Sequence, residues 1–248
     1  MVAVAFGVVW LQAAANQSLQ TDRGRIPVSR GTMSPRRPRL LSFVVIPERQ
    51  MSSPDELAEC SMPPLPPLRW SGHAWEGEHV FPAWSGFQSR RGAYGSRDSR
   101  SASDGRATVR VASPSATTQP LAEQVAAFAQ FIQEQDAVRD ALLDALLPRY
   151  ENWREDWASA MDAREFKKVM PAVSSPSAFR RLIGLSYLHI LEESFQGIAY
   201  VGFECGCTWD TEHGLGFMTH GQRVVDVGGA DTAFLEWIAE RDMGRHRR

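Results

Sequence analysis

The clearest periodicity in the chain lies between Ile198 and Trp209, where apolar residues recur at every second position. This alternation is typical of a β-strand with one face against a core. Shorter apolar runs predict three further strands, at 185–191, 215–219 and 223–227. Turn residues at 210–214 and 220–222 separate the later runs. We therefore expect four strands in an antiparallel meander.

Apolar residues at helical spacing precede this meander. A first helix is predicted from near Pro120, since proline suits the first helical position. A second helix is predicted from Asp136 to about Trp157, and the polar stretch 133–136 is interpreted as the turn of an αα-hairpin. Pro148 is expected to kink or split the second helix. Two more helices are predicted, a short one over 174–182 and a last one from near 231.

The beginning of the chain lacks any hydrophobic period. Residues 1–65 are rich in arginine, proline and serine in long stretches, a composition typical of disorder. A start of translation at Met51 is the alternative interpretation of the first fifty residues. Aromatic residues between 70 and 87 predict one or two short strands, and 108–112 predicts another. We expect a disordered or mis-annotated N-terminal tail over 1–65 and a single domain over 66–248.

These elements together predict an α+β fold class. The expected architecture is an antiparallel C-terminal meander sheet packed against an αα-hairpin and a C-terminal helix.

Charge narrows the possible partners. The chain of 248 residues has a formal net charge of -2, which argues against nucleic-acid binding. Residues 1–50 hold seven arginines against two acids, +5, so the remainder carries -7. An acidic domain favours a basic protein partner. The apolar run 2–11 is too short to span a bilayer and has no basic residue before it, so no membrane association is expected.

The three cysteines, Cys60, Cys205 and Cys207, do not form a disulfide framework. Reduced thiols are typical of the cytoplasm, which is the predicted localisation. Cys205 and Cys207 share one face of the strand 198–209 with Val201, Phe203 and Trp209, so we expect both thiols to be buried. Zinc bound by Cys205, Cys207, His213 and His220 is the weaker alternative, because this spacing matches no established site. We predict no metal.

The turn after this strand holds the candidate chemistry. Asp210, Glu212 and His213, together with Cys207, could form an acid/base or thiol site. The structural alternative is that Asp210 bonds backbone amides of a tight turn while Gly214 supplies backbone freedom. We favour the structural interpretation, so no catalytic residue is assigned. Nucleotide-binding glycine motifs are absent and no cofactor is expected. His189, inside an apolar run, is interpreted as a hydrogen-bonded core histidine.

Two segments resemble a known family. The run from Cys207 to Gly216 fits the pattern C-x-W-D-x-E-H-G-L-G, and the run from Val224 to Phe234 fits V-x-x-V-G-x-A-D-x-A-F. Both patterns resemble those of a bacterial family of domains of unknown function. The resemblance is strongest over about 199–235 and does not cover 1–50. Small immunity and partner-binding proteins are the analogy that it suggests.

Two function classes remain open from the sequence. The favoured one is a non-enzymatic protein-binding module of the bacterial immunity or partner-binding type, because no complete catalytic set is present. The alternative is a hydrolase or thiol enzyme that uses the turn of Cys207, Asp210, Glu212 and His213. Nothing in the sequence predicts the oligomeric state.

Overall fold

A computed structural model describes residues 58–246, with the side chain of residue 100 excepted. The predictions for residues 1–57, including the start at Met51, lie outside these residues. Ten strands are present in the described part: β1 Glu59–Cys60, β2 Leu68–Trp70, β3 Ala74–Val80, β4 Gln88–Arg91, β5 Arg97–Ala102, β6 Arg106–Ala112, β7 Ile183–Phe195, β8 Ile198–Cys207, β9 Leu215–His220 and β10 Arg223–Gly228. Three α-helices accompany them: α1 Ala122–Ala158, α2 Ala163–Val169 and α3 Glu236–His246.

Eight strands form one sheet in the order β1-β2-β3-β6-β7-β8-β9-β10. The α+β class is confirmed, but the prediction of an antiparallel sheet is correct only in part, because β6 and β7 pair in parallel. Two parallel neighbours require a long crossover connection, and helix α1 lies in that connection. The strands that follow, β7 to β10, form the predicted antiparallel meander.

Helix α1 is one continuous helix, so the predicted αα-hairpin is wrong. The polar stretch 133–136 is Gln-Glu-Gln-Asp, which contains neither glycine nor proline and does not end a helix. Gln135 inside this stretch accepts a hydrogen bond from the amide of Ala83 at 3.0 Å, so these polar residues pack against a neighbouring segment. The helix also continues through Pro148 rather than splitting there.

The main core lies between α1 and one face of the sheet. Phe128, Leu142 and Leu146 of α1 are fully buried, as are Val109, Leu188 and Phe203 of the sheet. A smaller apolar cluster on the opposite face joins Tyr200 and Met218 to Ile238 of α3. The last helix was predicted from near 231, but residues Ala230–Ala233 form a 3-10 turn and α3 begins at Glu236. The predicted short helix at 174–182 is a 3-10 helix over Pro176–Arg181.

Two segments for which no strand was predicted contain strands. Within the predicted tail, β1 pairs with β2 and Leu65 is buried, so the described residues 58–65 are part of the fold. Between the predicted strands at 70–87 and 108–112, β5 pairs with β4 to form a separate two-stranded hairpin. Strands of two to six residues with polar side chains carry little hydrophobic period, which is why the pattern did not indicate them.

A helix that crosses a bilayer needs about 20 consecutive, mostly apolar residues. Between residues 58 and 246, no helix has both the length and the hydropathy of a membrane-spanning segment.

Candidate functional site

The turn after β8 holds Asp210 through backbone hydrogen bonds. Its Oδ1 accepts hydrogen bonds from the amides of Glu212 at 3.2 Å and His213 at 2.9 Å. The amide of Gly214 donates to the carbonyl of Asp210 at 3.0 Å, and Gly214 has a φ of 65°, in the left-handed region that favours glycine. These bonds are the ones that the structural interpretation of the turn predicts, because aspartate side chains commonly cap tight turns in this way.

The same turn also brings His213 against Asp210. Nδ1 of His213 lies 3.1 Å from Oδ1 and 3.2 Å from Oδ2 of the carboxylate. The His213 side chain is 75% exposed, and Glu212 is exposed as well. A histidine oriented by a carboxylate is one part of a general base, but this pair lies in an exposed turn rather than in an enclosed site.

The two thiols of β8 lie in the core. Cys205 and Cys207 are fully buried on the α1 side of the sheet, together with Val201, Phe203 and Trp209, as predicted. Burial raises the pKa of Cys205 well above its ordinary value and raises that of Cys207 to about 12. Sγ of Cys207 donates to the carbonyl of Asp210 at 3.3 Å. Because the thiolate is the reactive form of cysteine, this environment gives Cys207 little nucleophilic character.

The four alternative zinc ligands have separate surroundings. His220 Nε2 lies 2.9 Å from the carbonyl of Phe195, whereas His213 contacts Asp210 in the exposed turn. Among residues 58–246, no group of three or more histidine, cysteine, aspartate or glutamate side chains is arranged to hold a metal ion. The expectations of no metal and no cofactor stay predictions.

A second candidate site lies on the sheet face opposite α1. Residues of β3, β6, β7 and β8 that alternate with the core residues point to this side. Seven polar or aromatic residues define this "open face": Glu76, Glu78, Thr108, Arg110, Tyr187, His189 and Glu204.

The centre of the open face is a buried pair. His189 Nε2 lies 2.9 Å from Oε2 of Glu204, and both side chains are only 6% exposed. Burial lowers the pKa of His189, and the hydrogen bond with Glu204 opposes that shift. The desolvation effect is the larger, so His189 is neutral at pH 7. The predicted hydrogen-bonded histidine is confirmed, although it lies on the polar side of the sheet rather than in the main core.

Arg110 extends this network toward the edge of the sheet. Its Nε donates to Oε1 of Glu76 at 2.8 Å, and its guanidinium lies 4.5 Å from the ring centroid of Tyr187. The Glu78 carboxylate accepts a hydrogen bond from the Thr108 hydroxyl at 2.6 Å. Cross-strand pairs of this kind stabilise a sheet, and they also fix the positions of charges that a ligand would contact.

Three clefts adjoin the open face. The edge cleft, about 590 Å³, is lined by Glu59, Arg69 and Glu76 among others. The α3 cleft, about 420 Å³, is lined by charged, apolar and histidine side chains: His73, Arg110, His189, Leu191, Glu192, Glu193, Phe234 and Glu236. The hairpin cleft, about 630 Å³, is lined by β4–β5 and by the start of β6 and β7. His213 lines none of these three clefts, which surround the open face instead.

Sequence reasoning missed Glu76, Arg110 and Glu204. Arg110 and Glu76 are separated by 34 residues, and His189 and Glu204 by 15, so only strand pairing brings them together. One signal was available. Glu204 is a charged residue in a strand that is otherwise apolar or glycine between residues 199 and 207, and such a residue needs a buried partner.

A family model described as a domain of unknown function, DUF6985, matches residues 103–235, which is more than half of the chain. The matched range contains Arg110, His189 and Glu204 of the open face and the whole turn at 207–216. Glu76 and the β4–β5 hairpin lie before it. The comparison with curated proteins gave no match, and neither did the comparison with solved structures.

Proposed function

The chain belongs to the DUF6985 family of domains of unknown function, and we propose that it is a non-enzymatic protein-binding module of the bacterial immunity or partner-binding type. The partner docks on the open face. The observation that carries the proposal is that this face joins three adjacent clefts above a floor of charged and aromatic side chains. Surfaces that bind other proteins combine such fixed charges with exposed aromatic groups.

The partner is basic in this proposal. Glu192, Glu193 and Glu236 line the α3 cleft, and none of them has an ion-pair partner among the described residues. Burial raises the pKa of Glu193, and the negative charges of Glu236, Glu192 and Glu240 raise it further. A cation placed there would relieve this repulsion, so complementary charge favours a basic protein over an acidic one. Nucleic acid and membrane are not proposed as partners.

The cytoplasm is the proposed compartment. Cys60, Cys205 and Cys207 are all free thiols in the described part of the chain, and a reducing environment keeps such thiols unpaired.

The proposal is tested by co-expression with the product of the neighbouring gene, followed by affinity measurement with the purified pair. Glu192→Lys/Glu236→Lys reverses two exposed charges at the α3 cleft and should weaken binding on the order of tenfold, with a reduced dependence on salt. Glu151→Lys/Glu155→Lys reverses two exposed charges on α1 and is the matched control. Equal binding by both double variants would contradict the proposed docking face.

A hydrolase that uses the turn is the second candidate, because Asp210 orients the ring of His213 at 3.1 Å. Glu212 is the other exposed carboxylate of that turn, whereas Cys207 is buried and protonated. A panel of activated esters and amides distinguishes the two functions. Turnover by the wild type that His213→Ala abolishes and Glu151→Ala leaves unchanged would favour the enzyme.

A further inference from the structure

The hairpin cleft differs from the rest of the open face in its charge. Arg90 and Arg91 of β4 and Arg106 of β6 line it, against Glu78 and Asp104. Arg106 already pairs with Asp104 at 3.6 Å, and Glu78 bonds Thr108. Arg91 is exposed and has no ion-pair partner among the residues that the structure describes. A positive cleft is unexpected in a chain whose residues beyond 50 are acidic.

Arg90 provides a fixed positive charge beside this cleft. The residue is only 9% exposed, and its aliphatic stem lies over Gly184 and Gly206. A Cβ atom at these glycines would lie 3.0 Å from Cγ and 2.8 Å from Cδ of Arg90, so any larger residue there would displace the side chain. The glycine pair therefore makes room for the arginine and holds it against the sheet.

The hydrogen bonds of the Arg90 guanidinium go to neutral oxygens. Its Nε donates to Oε1 of Gln88 at 2.8 Å, one terminal nitrogen donates to the same oxygen, and the other lies 3.5 Å from the carbonyl of Gly95. Asp98 stands opposite Arg90 in the hairpin, and its charge supports the ionised form, while burial lowers the pKa of the guanidinium. Arginine nonetheless stays charged in proteins, and its five N–H donors suit carboxylate and phosphate oxygens.

Ser186 gives the cleft an unused donor. Its hydroxyl oxygen is buried and has no hydrogen-bond partner among the described residues, and Ser186 lines the same cleft. A buried hydroxyl without a partner is unfavourable, so an acceptor brought by a ligand would stabilise it. Gly95 lies next to both Ser186 and Arg90. A Cβ atom at Gly95 would lie 3.0 Å from the Ser186 hydroxyl, and the Gly95 carbonyl is the one that the Arg90 guanidinium approaches.

We propose that the hairpin cleft is a binding site for an anionic group, a carboxylate or a phosphate. Arg90 is the fixed cation, the Ser186 hydroxyl is the buried donor and Arg91 is the exposed cation at the rim. The anion is carried by a small free molecule. This site is separate from the acidic α3 cleft, so it does not depend on the proposed basic partner.

The test is a titration of the full chain, at constant ionic strength, with inorganic phosphate and separately with succinate. Binding is followed by the backbone amide resonances of Gly95, Arg91 and Ser186. We expect saturable shifts at these amides, and affinity lower on the order of tenfold in Ser186→Ala and in Arg91→Ala, since each loses one bond to a charged group. Saturation by phosphate alone identifies a phosphate ligand. Saturation by succinate alone identifies a carboxylate ligand.

Arg69→Ala is the control, because Arg69 is exposed, pairs with Glu59 and lies outside the hairpin cleft. Its affinity should equal that of the wild type. Thermal melts of each variant confirm folding, and Ser186 and Arg91 are chosen because Arg90 itself supports the hairpin. The proposal is overturned if neither anion gives saturable shifts, or if Arg69→Ala weakens binding as much as the two cleft variants do.

Discussion

The turn at 207–216 stands out in the sequence, whereas the open face stands out only in the structure. The turn is conspicuous in the sequence, yet the side chains of Cys207 and Asp210 are committed to core packing and to backbone hydrogen bonds. The open face is inconspicuous in the sequence, yet Arg110 and His189 lie at the edge of clefts large enough for a ligand. The comparison teaches that unusual residues gathered in one segment can reflect a demanding local structure rather than chemistry.

The largest expected effect comes from the centre of the open face. His189→Ala leaves the Glu204 carboxylate buried and without its 2.9 Å partner. Because His189 is neutral, the loss is that of a buried hydrogen bond to a carboxylate, and it should lower the free energy of unfolding by about 2–3 kcal/mol. Denaturant melts measure this, with His73→Ala as the control because the His73 side chain is 69% exposed. A loss below about 1 kcal/mol would contradict this prediction, because it would show that water or another group solvates the Glu204 carboxylate in the variant.

The next effect sharpens the interpretation of the turn. Asp210→Ala removes the acceptor for the amides of Glu212 and His213 and should cost about 1–2 kcal/mol of stability. Glu212→Ala is the neighbouring control, because the Glu212 side chain is exposed and forms no hydrogen bond with any residue that the structure describes. The midpoints of urea unfolding measure the difference in stability, provided that the free energy of unfolding falls equally steeply with urea in both variants. Equal midpoints for the two variants would make the turn a site for chemistry.

Acid should destabilise the protein through the buried histidine of the open face. The pKa of His189 is lowered in the folded protein, so the unfolded chain binds more protons below the ordinary value of 6.5. Stability attributable to His189 is therefore fully present above pH 6.5 and is lost as the pH falls toward the folded pKa. We expect melting temperatures to decline over this range in wild type, by less than the substitutions above cause. In His189→Gln the decline should be shallower, and an unchanged slope would refute the assignment.

The smallest effect is predicted for the exposed histidine of the turn. His213→Ala should change the free energy of unfolding by no more than about 0.5 kcal/mol, because exposed side chains contribute little. The same melts that serve Asp210→Ala measure it. A loss near that of Asp210→Ala would show that the His213 ring, and not only its amide, supports the turn.

The parts of the fold that sequence patterns predicted are local. The meander from β7 to β10 follows from period-two runs and short turns, both readable within a few residues. The parallel pairing of β6 with β7 was not predicted, because it joins strands separated by the whole of α1. The helix break predicted at 133–136 is absent because polar residues alone do not end a helix, and this stretch contains neither glycine nor proline.

The same distinction explains the candidate sites. The hydrogen bonds of Asp210 lie within three residues and follow from turn chemistry, so the structural interpretation could be made from sequence. The contacts of Arg110 with Glu76 and of His189 with Glu204 depend on register across four strands. That register joins segments that lie far apart in the chain and cannot be read from local patterns, so the open face was not predicted.

The central claim is that the turn is structural and that the α3 cleft beside the open face is free to bind, and a comparison of one carboxylate from each tests it most directly. Urea melts of Asp210→Ala, Glu192→Ala and wild type are measured under one set of conditions. The account predicts that Asp210→Ala loses about 1–2 kcal/mol, whereas Glu192→Ala, exposed and without an ion pair among the described residues, is as stable as wild type or slightly more so. An Asp210→Ala variant as stable as wild type, beside a destabilised Glu192→Ala variant, would contradict it.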